Sequence, residues 1–173
     1  MSDETHPTEQ APIDRGVPTS LSTLYQEVIL DHYRRPRNMG GLEEATHTIT
    51  MNNPLCGDVI ELRLTVEEGQ VTDAKFVGQG CSISQASASM MTGKLKGRTI
   101  DEVRGLADKF TRLLKGEEGM LGDGDLGDLR ALAGVSKFPV RIKCALLVWN
   151  CLEELVGESD EESSAAEASP EAP

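Results

Sequence analysis

The apolar positions change rhythm along the chain, and each change marks a new element. Leu21, Leu24, Val28 and Ile29 keep helical spacing, and Thr23 with Gln26 has the form of a capping box. A first helix is therefore expected from about residue 21, stopped by Pro36. Arg34, Arg35 and Arg37 cluster at its C-terminal turn, where cations suit the helix dipole. A docking patch for an acidic partner is the other reading of these arginines.

The rhythm then shortens to two. HTITM (47–51) predicts a strand, and Ile60, Leu62, Leu64 and Val66 alternate with Glu61, Arg63 and Thr65. Glu68-Gly69 reads as a turn, and VTDAKFV (71–77) as the returning strand. An antiparallel meander with one polar face needs cover on the other face only.

From Cys81 onward the pattern is helical again. Residues 81–97 carry small side chains along one side. Thr99 and Glu102 form a second capping box, followed by Val103, Leu106, Ala107, Phe110 and Leu114 at helical spacing. A glycine-rich stretch (119–128) separates this helix from a short one carrying Leu129 and Leu132. Pro139 suits the first turn of a last helix that is apolar nearly all round, with Gly157 as its terminator. Strands first and helices after them make the fold class α+β.

The length of 173 residues suits one domain, and 3% aromatics make its core mostly aliphatic. The net charge of −12 is concentrated in the flanks. Residues 1–20 carry four acids against Arg15, and residues 158–173 carry six acids and no base, which leaves about −3 for residues 21–156. Both flanks lack the apolar surface to offset chain entropy. The expected organisation is a disordered acidic arm (1–19), one folded domain (20–157) and a disordered acidic tail (158–173).

No basic stripe is present to neutralise phosphates, so nucleic acid is an unexpected partner. No run of 18 apolar residues suggests a membrane span, and MSDETHPTEQAP has no apolar core of a signal peptide. A cytoplasmic setting follows, and thiols there serve metals or catalysis more often than disulfides.

The cysteines then become the candidate chemistry. Cys56 lies between Pro54 and Gly57, and Asp58 follows two residues later. Cys81 follows Gly78-Gln79-Gly80, a stretch that lets the backbone approach something closely, and it opens a helix whose dipole favours a thiolate. Cys144 lies in the first turns of the last helix. Three thiolates and a carboxylate suffice for one tetrahedral zinc site. Taken singly, Asp58 also reads as a turn aspartate and Cys144 as a buried core thiol. Cys151 is two turns beyond Cys144, about 10.5 Å along the axis, too far to share its zinc sphere. It reads as a small core hydrophobe. No C-x-x-C pair exists, so neither a zinc ribbon nor a thioredoxin-like motif is expected.

LYQEVILDHYRRPRNMG, NNPLCGDVIEL, GQGCSISQASASMMT and ALAGVSKFPVRIKCALLVW together resemble the U-type iron–sulfur cluster assembly proteins, over nearly all of residues 21–156. The resemblance implies a three-stranded antiparallel sheet covered on one face by helices. Within the family, IscU-type scaffolds carry a histidine before the third cysteine, where this chain has Lys143. Lys143 and the long stretch between Cys81 and Cys144 resemble the SufU subgroup. That likeness implies a zinc-dependent sulfurtransferase serving a SufS-like cysteine desulfurase and the downstream Suf assembly proteins. It implies Zn²⁺ on Cys56, Asp58, Cys81 and Cys144, with Arg141 beside the site. Cys56 is the expected sulfur acceptor, because its Pro/Gly loop can move while helices hold Cys81 and Cys144. Arg141 is expected to stabilise the released thiolate or its persulfide, against the alternative of a surface ion pair. Two other readings remain at this point: a scaffold carrying a transient iron–sulfur cluster, and a purely structural zinc module.

Overall fold

A computed structural model describes the backbone of residues 19–167 and the side chains of residues 25–157. The elements in chain order are α1 (Thr19–Arg34), β1 (His47–Asn53), β2 (Asp58–Glu67), β3 (Gln70–Gln79), α2 (Ser82–Leu95), α3 (Ile100–Leu114), two 3₁₀ segments (Met120–Gly122 and Gly124–Lys137) and α4 (Pro139–Glu167). The α+β class and all three strands stand as the sequence pattern predicts.

The sheet is antiparallel in the order β1-β2-β3. Glu68 (φ 51°) and Gly69 (φ 74°) both take the left-handed conformation that a two-residue hairpin turn requires. Ile60, Leu62, Leu64, Val71, Ala74 and Phe76 are buried on one face, under α2 and α4. Glu61, Arg63 and Thr65 point the other way and stay partly exposed. The register pairs Asn53 with Asp58 and Val59 with Gln79. The end of β1, the start of β2 and the end of β3 therefore lie side by side at one end of the sheet.

The α2 helix differs from its expected one-sided stripe. It is buried from Ser84 to Thr92 and again at Leu95, because it lies between the sheet, α1 and α4. Its small polar side chains are paired inside the core: Ser87 Oγ donates to Ala145 O at 2.7 Å and accepts from Trp149 Nε1 at 3.1 Å. Trp149 also stacks on Phe110 at 4.7 Å, joining α4 to α3. The Thr99–Glu102 capping box is formed as expected.

Four other expectations change. The α1 helix begins at Thr19, so Thr23 lies inside it and cannot cap it. Arg35 and Arg37 fold back onto Asp31 at 3.3 and 2.7 Å, which accounts for two of the three clustered arginines. The segment with Leu129 and Leu132 is 3₁₀ and kinked at Gly127 (φ 52°, ψ −128°). The α4 helix passes through Gly157, which has no positive φ, and runs on to Glu167. A glycine inside a helix costs only about 1 kcal/mol, and the glutamates and alanines beyond it are good helix formers. The boundary expected at 157/158 is thus crossed by helix. The expected disorder of residues 1–18 and 168–173 falls outside the described residues.

Among the described residues, no helix is long and apolar enough to cross a membrane.

Candidate metal centre

The shared end of the sheet gathers the chemistry. Asn53 closes β1, and the chain turns back through Pro54, Leu55, Cys56 and Gly57 before Asp58 opens β2. Backbone hydrogen bonds from Cys56 N (3.3 Å) and Gly57 N (2.8 Å) to Asn53 O tighten this turn, with Gly57 in the left-handed region (φ 69°). From the neighbouring strand, β3 runs through Gly80 to Cys81, the N-cap of α2. Cys144 arrives from the second turn of α4.

One donor atom from each of Cys56, Asp58 and Cys144 lies within 4.8 Å of the other two. Cys56 Sγ stands 2.9 Å from Cys144 Sγ. Cys81 Sγ reaches the group through Asp58 Oδ2 at 3.5 Å, and Cys81 N donates to Asp58 Oδ1 at 2.9 Å. Asp58 and Cys144 are buried at 1% and 0% exposure, whereas Cys56 and Cys81 are half-buried. The interior thus holds one carboxylate and one cysteine, and the other two cysteines lie nearer the surface.

Close packing fixes this arrangement. A side chain at Gly80 would stand 2.7 Å from Asp58 Cγ and 2.8 Å from Ser84 Oγ. The close approach that the Gly78-Gln79-Gly80 stretch allows is therefore the approach of β3 to the aspartate. Ser84 Oγ donates to Cys81 O at 3.1 Å and stands 3.8 Å from Cys81 Sγ, so it braces the start of α2.

The electrostatics suit a cation. Burial opposes the charge on Asp58, but the backbone N–H of Cys81 and the three surrounding thiols hold its carboxyl below the ordinary carboxylate range. Burial, then the neighbouring Cys56 thiol, pushes the Cys144 thiol well above its ordinary value. Three sulfurs and a carboxylate this close cannot all ionise by themselves. A divalent cation among them removes that repulsion, and three thiolates with one carboxylate are a donor set for tetrahedral zinc.

Cys151 is not in this group. It is fully buried in the core, 3.9 Å from Ile60 O, and burial raises its thiol to about 11. Arg141 is exposed in the first turn of α4, and its guanidinium makes no ion pair among the described residues. The surface ion pair considered for it is therefore absent there. Lys143, beside Cys144, is exposed.

The NifU-like N-terminal domain model matches residues 24–145, a span that contains all four candidate ligands. The chain belongs to the NifU-like N-terminal domain family. It is 49% identical over 142 residues to the zinc-dependent sulfurtransferase SufU of Bacillus subtilis (strain 168), covering 82% of this chain and 95% of that protein. It is 43% identical over 141 residues to the iron–sulfur cluster assembly scaffold protein IscU of Streptococcus pyogenes serotype M1, covering 82% and 87%. Its fold superposes on the N-terminal NifU-like protein of Brucella abortus with a TM-score of 0.73 at 26% identity, covering 83% and 99%. The expected kinship with U-type assembly proteins and the sheet covered on one face by helices therefore both hold.

Sequence reading missed one side chain at this site of the NifU-like domain. Asn53 is buried, and its Nδ2 donates to Cys56 Sγ at 2.9 Å. Its signal was the Asn-Pro dipeptide three residues before Cys56, which reads only as a turn until the fold brings Cys144 alongside.

Proposed function

We propose that this NifU-like chain is a zinc-dependent sulfurtransferase that accepts persulfide sulfur from a SufS-like cysteine desulfurase for iron–sulfur cluster assembly. The observation that carries the reading is the convergence of Cys56, Asp58, Cys81 and Cys144 at one end of the sheet, with Cys56 on a solvent-facing turn. These four residues hold the zinc. Bound there, Zn²⁺ keeps thiolates deprotonated at neutral pH without oxidising them.

Cys56 is the acceptor. It lies on a turn and is half-exposed, whereas Cys144 is enclosed and Cys81 is tied to Asp58 through its backbone. Its thiolate attacks the outer sulfur of the desulfurase persulfide. A new S–S bond forms on Cys56, the S–S bond of the desulfurase breaks, and the desulfurase leaves as a thiolate. The proton stays with the transferred sulfur, and no external oxidant or reductant is needed. Arg141, one turn before Cys144, offers an exposed cation for the released thiolate or the new persulfide.

Leu55, Phe138 and Val140 are 64, 60 and 55% exposed, on the two segments that carry Cys56 and Cys144. Such an apolar rim suits docking of the desulfurase and, afterwards, of downstream Suf assembly proteins. Four free cysteines suit a reducing cytoplasm, and the folded domain bears the function between its acidic flanks.

Mass spectrometry of Cys56 after incubation with the desulfurase and cysteine tests the proposal. A gain of one sulfur atom on Cys56, lost in C56A, is expected. Full transfer by C56A would sink it.

The IscU relatives favour a second reading, a scaffold for a transient iron–sulfur cluster, because the same donors can hold iron. Anaerobic reconstitution giving a stable, transferable cluster in preference to retained zinc would support that reading instead.

A further inference from the structure

Asn53 works on three sides at once. Its backbone carbonyl receives the N–H groups of Cys56 and Gly57, which any residue could offer. Its Oδ1 accepts from Leu55 N at 3.1 Å, which Asp or Ser could also do. Its Nδ2 donates to Cys56 Sγ at 2.9 Å and stands 3.9 Å from Cys144 Sγ, and only an amide supplies that contact together with the other two. The amide orientation follows from the network: the Leu55 N–H needs an acceptor, so the NH₂ must face the sulfurs. At 6% exposure, water offers that NH₂ little alternative.

We propose that Asn53 is a positioning residue for sulfur transfer: its amide donates an N–H···S hydrogen bond that holds Cys56 as an oriented thiolate beside Cys144. The proposal rests on Cys56 as the acceptor. A hydrogen bond to a thiolate spreads its charge and fixes the direction of its lone pairs, so Cys56 stays aimed while it exchanges partners. The same amide has Cys144 Sγ within reach once Cys56 has taken up sulfur. Outer-shell partners of this kind commonly carry about a 10- to 100-fold share of metal affinity.

The full chain with N53D and with N53S separates the roles. Asp and Ser keep an acceptor for Leu55 N, but neither places an amide donor on the sulfurs. Metal-free N53D and N53S are expected to melt within a few degrees of the wild type. Both are expected to lose zinc to a chromophoric chelator with an affinity about tenfold lower or worse. The thiolate-to-metal charge-transfer band of the Co²⁺-substituted protein is expected to shift. With the desulfurase, kcat for loading Cys56 is expected to fall while KM holds. Wild-type zinc affinity and an unshifted cobalt band in both N53D and N53S would reduce Asn53 to a turn-former and overturn the proposal. If wild-type Cys56 takes up no sulfur, the acceptor reading fails, and the zinc and cobalt measurements still decide whether the amide tunes the sulfurs.

Discussion

Asp58 Oδ1 accepts the backbone N–H of Cys81 at 2.9 Å, while its other oxygen takes the Cys81 thiol at 3.5 Å. One buried carboxylate thus fixes the start of α2 to the start of β2 and faces Cys56 and Cys144 as well. In D58A the Cys81 N–H loses its acceptor, which costs about 1–3 kcal/mol. D58N keeps a carbonyl oxygen at the same place and should lose less. Urea denaturation of the metal-free variants measures both; equal stability of D58A and wild type would contradict this account.

Gly80 is the residue that permits this contact. A methyl group there would stand 2.7 Å from Asp58 Cγ and 2.8 Å from Ser84 Oγ. G80A should destabilise the protein by about 1–3 kcal/mol through overpacking and should weaken zinc retention together with it. Thermal melts and metal content after dialysis read the two effects. A G80A protein with undiminished zinc content would show that the Asp58–Cys81 spacing does not matter.

The four thiols should differ sharply in reactivity. In folded, metal-free protein at pH 8, iodoacetamide should label half-exposed Cys56 and Cys81 and spare Cys144 and Cys151, as peptide mapping would reveal. Cys151, raised to about 11 by burial, stays a neutral thiol at that pH. C151A should cost about 1 kcal/mol of packing and leave one zinc per chain.

His32 joins three elements. Its Nδ1 meets Ser89 Oγ of α2 at 2.8 Å and its Nε2 meets Asp128 of the second 3₁₀ segment at 2.9 Å. Ser89 Oγ also accepts from Arg37 N. Aspartate, histidine and serine stand in the order of a hydrolase triad, but Ser89 is fully buried and its hydroxyl also takes the backbone N–H of Arg37. The group is a fastener for α1. H32A should cost about 1–3 kcal/mol in urea denaturation and leave zinc stoichiometry unchanged. Altered metal content would tie α1 to the site instead.

Asp125 gives a pH signature. Its hydrogen bond with Arg98 (2.6 Å), opposed by burial and helped by Lys109, lowers its carboxyl to about 2. A depressed carboxylate pKa stabilises the fold fully above the ordinary value of 3.8, and the contribution fades as pH falls towards about 2. The pair is partly exposed, so screening holds the effect to about 1 kcal/mol. The stability gap between wild type and D125N should be open at pH 5 and closed near pH 2. A gap that stays constant across this range would disprove the assignment.

Periodicity alone was enough to locate the strands and most of the helices, because alternation and 3.6-residue spacing are local consequences of burying one face. Cys56, Asp58, Cys81 and Cys144 were legible as metal-type donors from their residue types and turn settings. The sequence also set Cys151 apart, since helix rise separates it from Cys144. The meeting of those four donors was a matter of tertiary structure: the pairing of Asn53 with Asp58 and of Val59 with Gln79 aligns three strand ends, and α4 then brings Cys144 to them. The contacts of Asn53 with Cys144 Sγ and of Gly80 with Asp58 were likewise decided only there, because each reaches a residue that another element supplies. The burial of α2 on every side was hidden for the same reason. Small side chains show that a helix can be approached closely, but only the packed neighbours determine from how many directions.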